Sequence, residues 1–241
     1  AAMRTAAIII LGLSLWGTSA MAIDLAPLWD FSRPDVSEQR FRAALAQATG
    51  DDALILQTQI ARTLGLRQDF DGARRVLHSI EPGMAGAGPE AQLRYQLELG
   101  RSWASATHAD ALLTPDALSQ ARQAYTRALA LARAHQLDAL AIDAIHMFAF
   151  VDKAPADQLK WGEAALAVAL KSPQPGAQRW EASIRNNIGI ALHQLGRLDE
   201  ALGQFEQALA LRQRSTQQPA TFVPRWMVAW TLRGLGRHDE A

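Results

Sequence analysis

Cysteine is absent from the 241 residues, which removes disulfides, thiolate metal sites, cysteine nucleophiles and the lipid-accepting cysteine of a bacterial lipoprotein together. Net charge is lacking as well. The 24 basic residues are matched by 24 acidic ones, so the chain carries no overall electrostatic footprint for a phosphate backbone, and no nucleic-acid partner is expected. Neither a serine elbow, an H-E-x-x-H pair nor a phosphate-binding loop occurs, so no catalytic residue and no cofactor is assigned. Long apolar runs are scarce too. What is abundant is hydrophobic residues in general, 49% of the chain, enough to bury a sizeable core and to exclude disorder as the main state.

The one uncharged apolar run lies at the front. Met3-Arg4 gives a short basic start, Ala6 to Trp16 is mostly apolar, and Ala20-Met21-Ala22 has the small-residue spacing of a cleavage site. The run is shorter than the roughly 20 residues of a membrane span. Residues 1–22 therefore read as a secretory signal peptide cleaved after Ala22, and the chain is expected to be exported to a bacterial periplasm without permanent membrane insertion. Retention of this segment as an anchor is the competing reading. Ala1-Ala2 precede the expected initiator Met3.

The rest of the chain repeats itself. Leu195-Gly196-Arg197-Leu198-Asp199-Glu200-Ala201 returns as Leu235-Gly236-Arg237-His238-Asp239-Glu240-Ala241, the self-similarity of a helical array whose units must stack to bury their apolar faces. After a polar leading segment (23–36), Ser37 is expected to cap a first helix running to about Thr49. Helix pairs are then predicted near 51–82, 91–135, 138–171, 182–213 and 222–241. Residues 82–89 are too rich in Gly and Pro for a helix and read as a connector, and 107–114 as an extended loop.

Within the fourth pair, Gly189, Leu192, Gly196, Ala201, Phe205, Ala208 and Leu209 stand at small-and-large spacings that resemble the tetratricopeptide repeat. Ala61, Leu64 and Ala73 fit the same scheme, as do Gly100, Trp103, Ala121, Tyr125 and Ala128, and Ala229, Leu232, Gly236 and Ala241. Departures are Leu192 where the family usually has tyrosine, the loop at 107–114, and His238 where it has an apolar residue. The resemblance covers roughly 54–241. It implies an all-α, right-handed α-solenoid of antiparallel helix pairs, with the last repeat expected to be truncated, and a concave groove that binds a protein or peptide.

A helix face recurs at i, i+4 and i+7, so the groove stripe is predicted as Thr58, Arg62, Gly65; Leu97, Arg101, Ala104; Ala141, Ile145, Phe148; Asn186, Ile190, His193; and Trp226, Trp230, Arg233. Arg62 and Arg101 would take an acidic or carboxylate group of the partner, with an apolar side chain near Ile190 and Trp230 and the peptide backbone on Asn187. Solvated or ion-paired arginines, and tryptophans packed on a further helix, are the competing reading of the same residues. Asp143 and His146 share a metal-ligand spacing, but no matching D/E-x-x-H accompanies them, so no metal is assigned. His108 and Asp110 fall together in the 107–114 loop. The expected activity is that of a non-catalytic scaffold; the alternative is the accessory module of an exported enzyme whose catalytic domain lies beyond residue 241.

Overall fold

The computed structural model describes residues 23–214 and 222–241; the expected signal peptide and its cleavage point lie outside the described residues. Among these residues every regular element is helical. A leading helix α1 (Pro34–Leu45) precedes α2 (Gly50–Leu66), α3 (Phe70–Ile80), α4 (Pro89–Arg101), α5 (Pro115–Ala134), α6 (Asp138–Met147), α7 (Pro155–Lys171), a short α8 (Pro175–Gln178), α9 (Glu181–Gln194), α10 (Leu198–Arg214) and α11 (Phe222–Gly234). Consecutive helices pack on one another except at the short α8, which packs on α6 and α7, and α2 also packs on α4 and α7 on α9. The chain is thus an all-α helical-repeat solenoid.

Two expected boundaries shift for local reasons. Helix α1 starts at Pro34 rather than after Ser37, because proline at the first helical position has its φ preset and no N–H to leave unpaired. Ser37 is instead buried in the first turns, where its Oγ accepts from the Asp30 N–H at 2.7 Å and donates to the Asp30 carbonyl at 2.9 Å. That pair of bonds folds the leading segment onto the array. Of the connector expected at 82–89, most falls in a 3-10 turn over Glu81–Gly86, which a proline near its start and glycines farther on permit because the segment is too short to need a full i→i−4 ladder.

Close approach of helices depends on the small residues. A Cβ on Gly100 would overlap the Tyr125 ring, and one on Gly189 would lie 2.5 Å from the Phe205 ring. The two rings are fully buried, each fills the gap its partner glycine leaves, and burial of a side chain of this size is worth about 1.5–3 kcal/mol. Tyr125 adds a hydrogen bond from its hydroxyl to the Ala104 carbonyl at 2.5 Å, which anchors the irregular turn after α4. Around these rings one continuous core runs from Leu93 through Ala128, Ile142, Ala165 and Ile188 to Met227.

The repeat is also written in the turns. Arg197 N donates to Leu192 O, and Arg237 N to Leu232 O, each at 2.9 Å and spanning five residues. Between them Gly196 and Gly236 share φ 75°, the left-handed helix cap expected for Gly196. The same backbone bond closes α2, from Asp69 N to Leu64 O, and α5, from Leu137 N to Ala132 O. Glutamine fills the left-handed position there, Gln68 at φ 65° and Gln136 at φ 54°. No glycine marks those two turns in the sequence.

Candidate functional site: a charged and an apolar cavity sharing His146

Helices α2, α4 and α6 bring four charged side chains to the wall of one cavity of about 230 Å³, closed on its apolar side by Met147, Phe150 and Trp180. Glu98 and Arg101 are one turn apart on α4, the spacing that lets side chains meet on a helix face. Arg101 donates from Nη1 to Glu98 Oε1 at 2.6 Å and from Nη2 to Asp143 Oδ1 at 2.5 Å. Arg62 approaches the same Glu98 oxygen only to 3.9 Å. Its guanidinium forms no hydrogen bond among the described residues; it lies 5.5 and 5.4 Å from the Trp29 and Phe31 ring centres, within cation–π range. Trp29 is held in turn by its indole N–H donating to Gln59 Oε1 at 3.2 Å.

The two arginines therefore differ, although their sequence spacing makes them equivalents. Burial disfavours the Arg101 charge, but Asp143 and Glu98 outweigh it and hold the guanidinium above its ordinary value. For Arg62 burial dominates, Arg101 adds repulsion, and the carboxylates compensate only in part, so its value falls. Burial likewise pushes Asp143 up, yet Arg101 and Arg62 together hold its carboxyl below the usual range. Arg101 is a structural tie between α4 and α6; Arg62, a quarter of its side chain exposed, is a partly desolvated cation whose donors are not hydrogen-bonded among the described residues. On the other side of the pair, Glu98 is 3% exposed and its Oε2 has no hydrogen-bond partner.

His146 stands between this cavity and a second, of about 180 Å³, whose wall includes Trp161, Ile184, Asn187 and Ile190. Burial lowers the His146 value; Asp143 opposes this, and Arg101 and Arg62 reinforce it. The imidazole is thus neutral near pH 7 and makes no hydrogen bond among the described residues. The second cavity owes its shape to Gly162, where a Cβ would lie 2.7 Å from Ile188, so α7 and α9 nearly touch beneath it.

Several predicted groove residues are placed otherwise. Thr58, Leu97, Ala104, Ala141, Ile145 and Phe148 are buried in the core rather than turned to the groove; α6 is apolar around most of its circumference, and its polar strip, Asp143 and His146, is what faces the cavity. In the later helices Asn187 and Ile190 line the second cavity, while Asn186 is half-buried with its Oδ1 unpartnered. His193 stacks on Trp230 at 3.4 Å and Trp230 on Trp226 at 5.6 Å, a ladder whose tryptophans are 38% and 56% exposed. Burial lowers the His193 value.

Sequence spacing did not single out Glu98, Phe150, Trp161 or Trp180. The Asp143 and His146 pair was visible, but as a metal candidate; Asp143 is engaged by Arg101, and among the described residues no group of three or more His, Asp or Glu is arranged to hold a metal ion. His108 and Asp110 do not act together. Asp110 pairs with Lys153 at 2.9 Å. His108 Nδ1 accepts from the Ser105 N–H at 3.1 Å, its other nitrogen lies 3.3 Å from the Ser102 carbonyl, and its ring stacks on Phe70 at 3.6 Å. It closes a turn. Burial keeps its value low.

Among the described residues no helix is long and apolar enough to cross a membrane. No curated protein matches the chain. The paired helices, the glycine–aromatic contacts and the recurrent left-handed caps have a counterpart in the family comparison: residues 180–241 match the model of the tetratricopeptide repeat, a repeat that generally mediates protein–protein interaction.

Proposed function

We propose that this chain is a non-catalytic, exported bacterial scaffold, acting in the periplasm, which binds a segment of another protein along the face that carries the two cavities. Arg62 takes an acidic side chain or carboxylate of that segment, and the cavity lined by Asn187 and Ile190 takes an apolar side chain. The single observation that carries the reading is the unspent guanidinium of Arg62 at the wall of an apolar-backed cavity. A charge-assisted hydrogen bond to a carboxylate recovers what desolvation has cost that cation. Arg101 supports the site by holding Glu98 and Asp143 in place. In this reading the Trp226–Trp230 ladder offers the segment a further apolar contact, and Asn186 and His193 offer polar ones. Export rests on the basic start, apolar run and Ala20-Met21-Ala22 pattern of the leading residues.

Photo-crosslinking tests it. An ultraviolet-activated residue at Ala106, which is exposed beside the first cavity, should capture a defined partner in envelope extracts. The same residue at exposed Gln123 on α5, outside both cavities, should not. Equal capture at both positions contradicts the groove assignment.

A further inference from the structure

The polar inventory of the first cavity is more particular than a carboxylate site needs. Arg62 and Arg101 balance Glu98 and Asp143 in charge, but not in hydrogen bonds. Arg101 meets both carboxylates, whereas Arg62, a quarter of its side chain exposed, makes no hydrogen bond among the described residues, and the buried Glu98 Oε2 is an acceptor without a donor. These two unspent groups are neighbours, since Arg62 Nη1 lies 3.9 Å from the other Glu98 oxygen. A ligand bearing only an anion satisfies Arg62 but sets like charge against Glu98, 98% of whose side chain is out of solvent. A ligand bearing only a cation does the reverse. Both are met by an anion and a hydrogen-bond donor carried on adjacent atoms. The remaining wall is mostly apolar, with Met147, Phe150 and Trp180 beside the polar Ser102, Ser105, Thr107 and His146, and at about 230 Å³ the space is below the ~300–1,000 Å³ of drug-sized ligand sites. It suits one residue-sized molecule rather than a stretch of chain.

We propose that the first cavity binds a free α-amino acid with an apolar or aromatic side chain, its carboxylate on Arg62, its ammonium on Glu98, and its side chain against Met147, Phe150 and Trp180. The proposal rests on the reading of this face as the binding surface. It adds that a small zwitterion competes there with the acidic group of the protein partner, because both use Arg62.

Calorimetric titration of the full chain at neutral pH tests it with four probes: L-phenylalanine, 3-phenylpropionate, phenethylamine and acetyl-phenylalanine amide. Phenylalanine should bind at least about tenfold more tightly than each of the other three, which lack one charge or both. Glu98→Gln should bring phenylalanine down to the level of 3-phenylpropionate, and Arg62→Met to that of phenethylamine. Should either variant lose its helical circular dichroism, the four probes on the unaltered chain decide alone. Equal affinities, or tightest binding of the blocked amide, would assign the cavity to a bare apolar group and overturn the proposal. If no small probe binds at millimolar concentration while a blocked acidic peptide does, the amino-acid site is refuted and the peptide groove stands.

Discussion

Arg101 and Asp143 are joined at 2.5 Å across α4 and α6, and this bond separates a structural arginine from an available one. With Arg101 committed to two carboxylates, Arg62 is the cation left for a ligand, and their apparent equivalence along the sequence dissolves. Removing either residue should therefore give opposite results in two different measurements.

Arg101→Met leaves Glu98 and Asp143 buried without their partner, a change that costs about 3–5 kcal/mol. Arg62→Met breaks no hydrogen bond among the described residues but removes the cation–π contact and one of the two cations that balance Glu98 and Asp143, so it should cost about 1–2 kcal/mol, less than Arg101→Met. Urea denaturation of the two variants should show this difference as a large shift in midpoint for the first and a small one for the second.

Acid should weaken the fold in two separate windows. The Asp143 carboxyl has a folded value below its unfolded one near 3.8, so its contribution is complete above that pH and is lost as pH falls toward the folded value. His146 is also lowered, from 6.5; the unfolded chain takes up the proton first, so stability declines as pH drops below about 6.5. Denaturation midpoints from pH 8 to 3 should show both declines; His146→Gln should reduce the upper one, which His108 and His193 also feed, while sparing the lower.

Glycine contacts and glycine turns can be probed separately. Gly189→Ala pushes a methyl into the Phe205 ring and should cost about 1–3 kcal/mol. Gly65→Ala, at a helical position with nothing within 4 Å, should be neutral or stabilising by about 0.4–1 kcal/mol. Gln68→Gly replaces a left-handed glutamine and should stabilise by about 0.5–1 kcal/mol. Thermal melts of the three variants check the order; a destabilised Gln68→Gly would show that its side chain, not its backbone, holds the turn.

The C-terminal helix offers a contrast between exposure and burial. Leu232 is 5% exposed and Trp226 56%, so Leu232→Ala should cost about 2–5 kcal/mol, while Trp226→Ala should stay within about 0.5 kcal/mol. Partner binding should respond the other way, through Trp226.

The glycine–aromatic contacts show why the fold could be read before the site. Gly189 and Phe205, like Gly100 and Tyr125, are local features: two adjacent helices need a small residue and a ring at a set spacing, and the chain displays that spacing directly. Gln68 and Gln136 show the limit, since a left-handed turn filled by glutamine leaves no mark in composition. The cavity was harder still. Arg62 and Ile190 stand at stripe positions and Asn187 beside one, but Glu98, His146 and Trp180 meet them only because α2, α4, α6 and the turn before α9 converge. Helical periodicity names a face and does not name what lies across from it. For the same reason the α6 stripe came out rotated: Ala141, Ile145 and Phe148 share a face, and their burial assigns that face to the core.

The central claim is that Arg62 is the cation a partner's acidic group meets. Its most direct test is a calorimetric cycle with a blocked pentapeptide, acetyl-Leu-Ala-Glu-Ala-Phe-amide, and its Glu→Gln counterpart, each titrated into the unaltered chain and into Arg62→Met. The account predicts that the Gln peptide binds the unaltered chain at least about tenfold more weakly than the Glu peptide, and that the two bind Arg62→Met equally. Retention of the full Glu preference in Arg62→Met would contradict it.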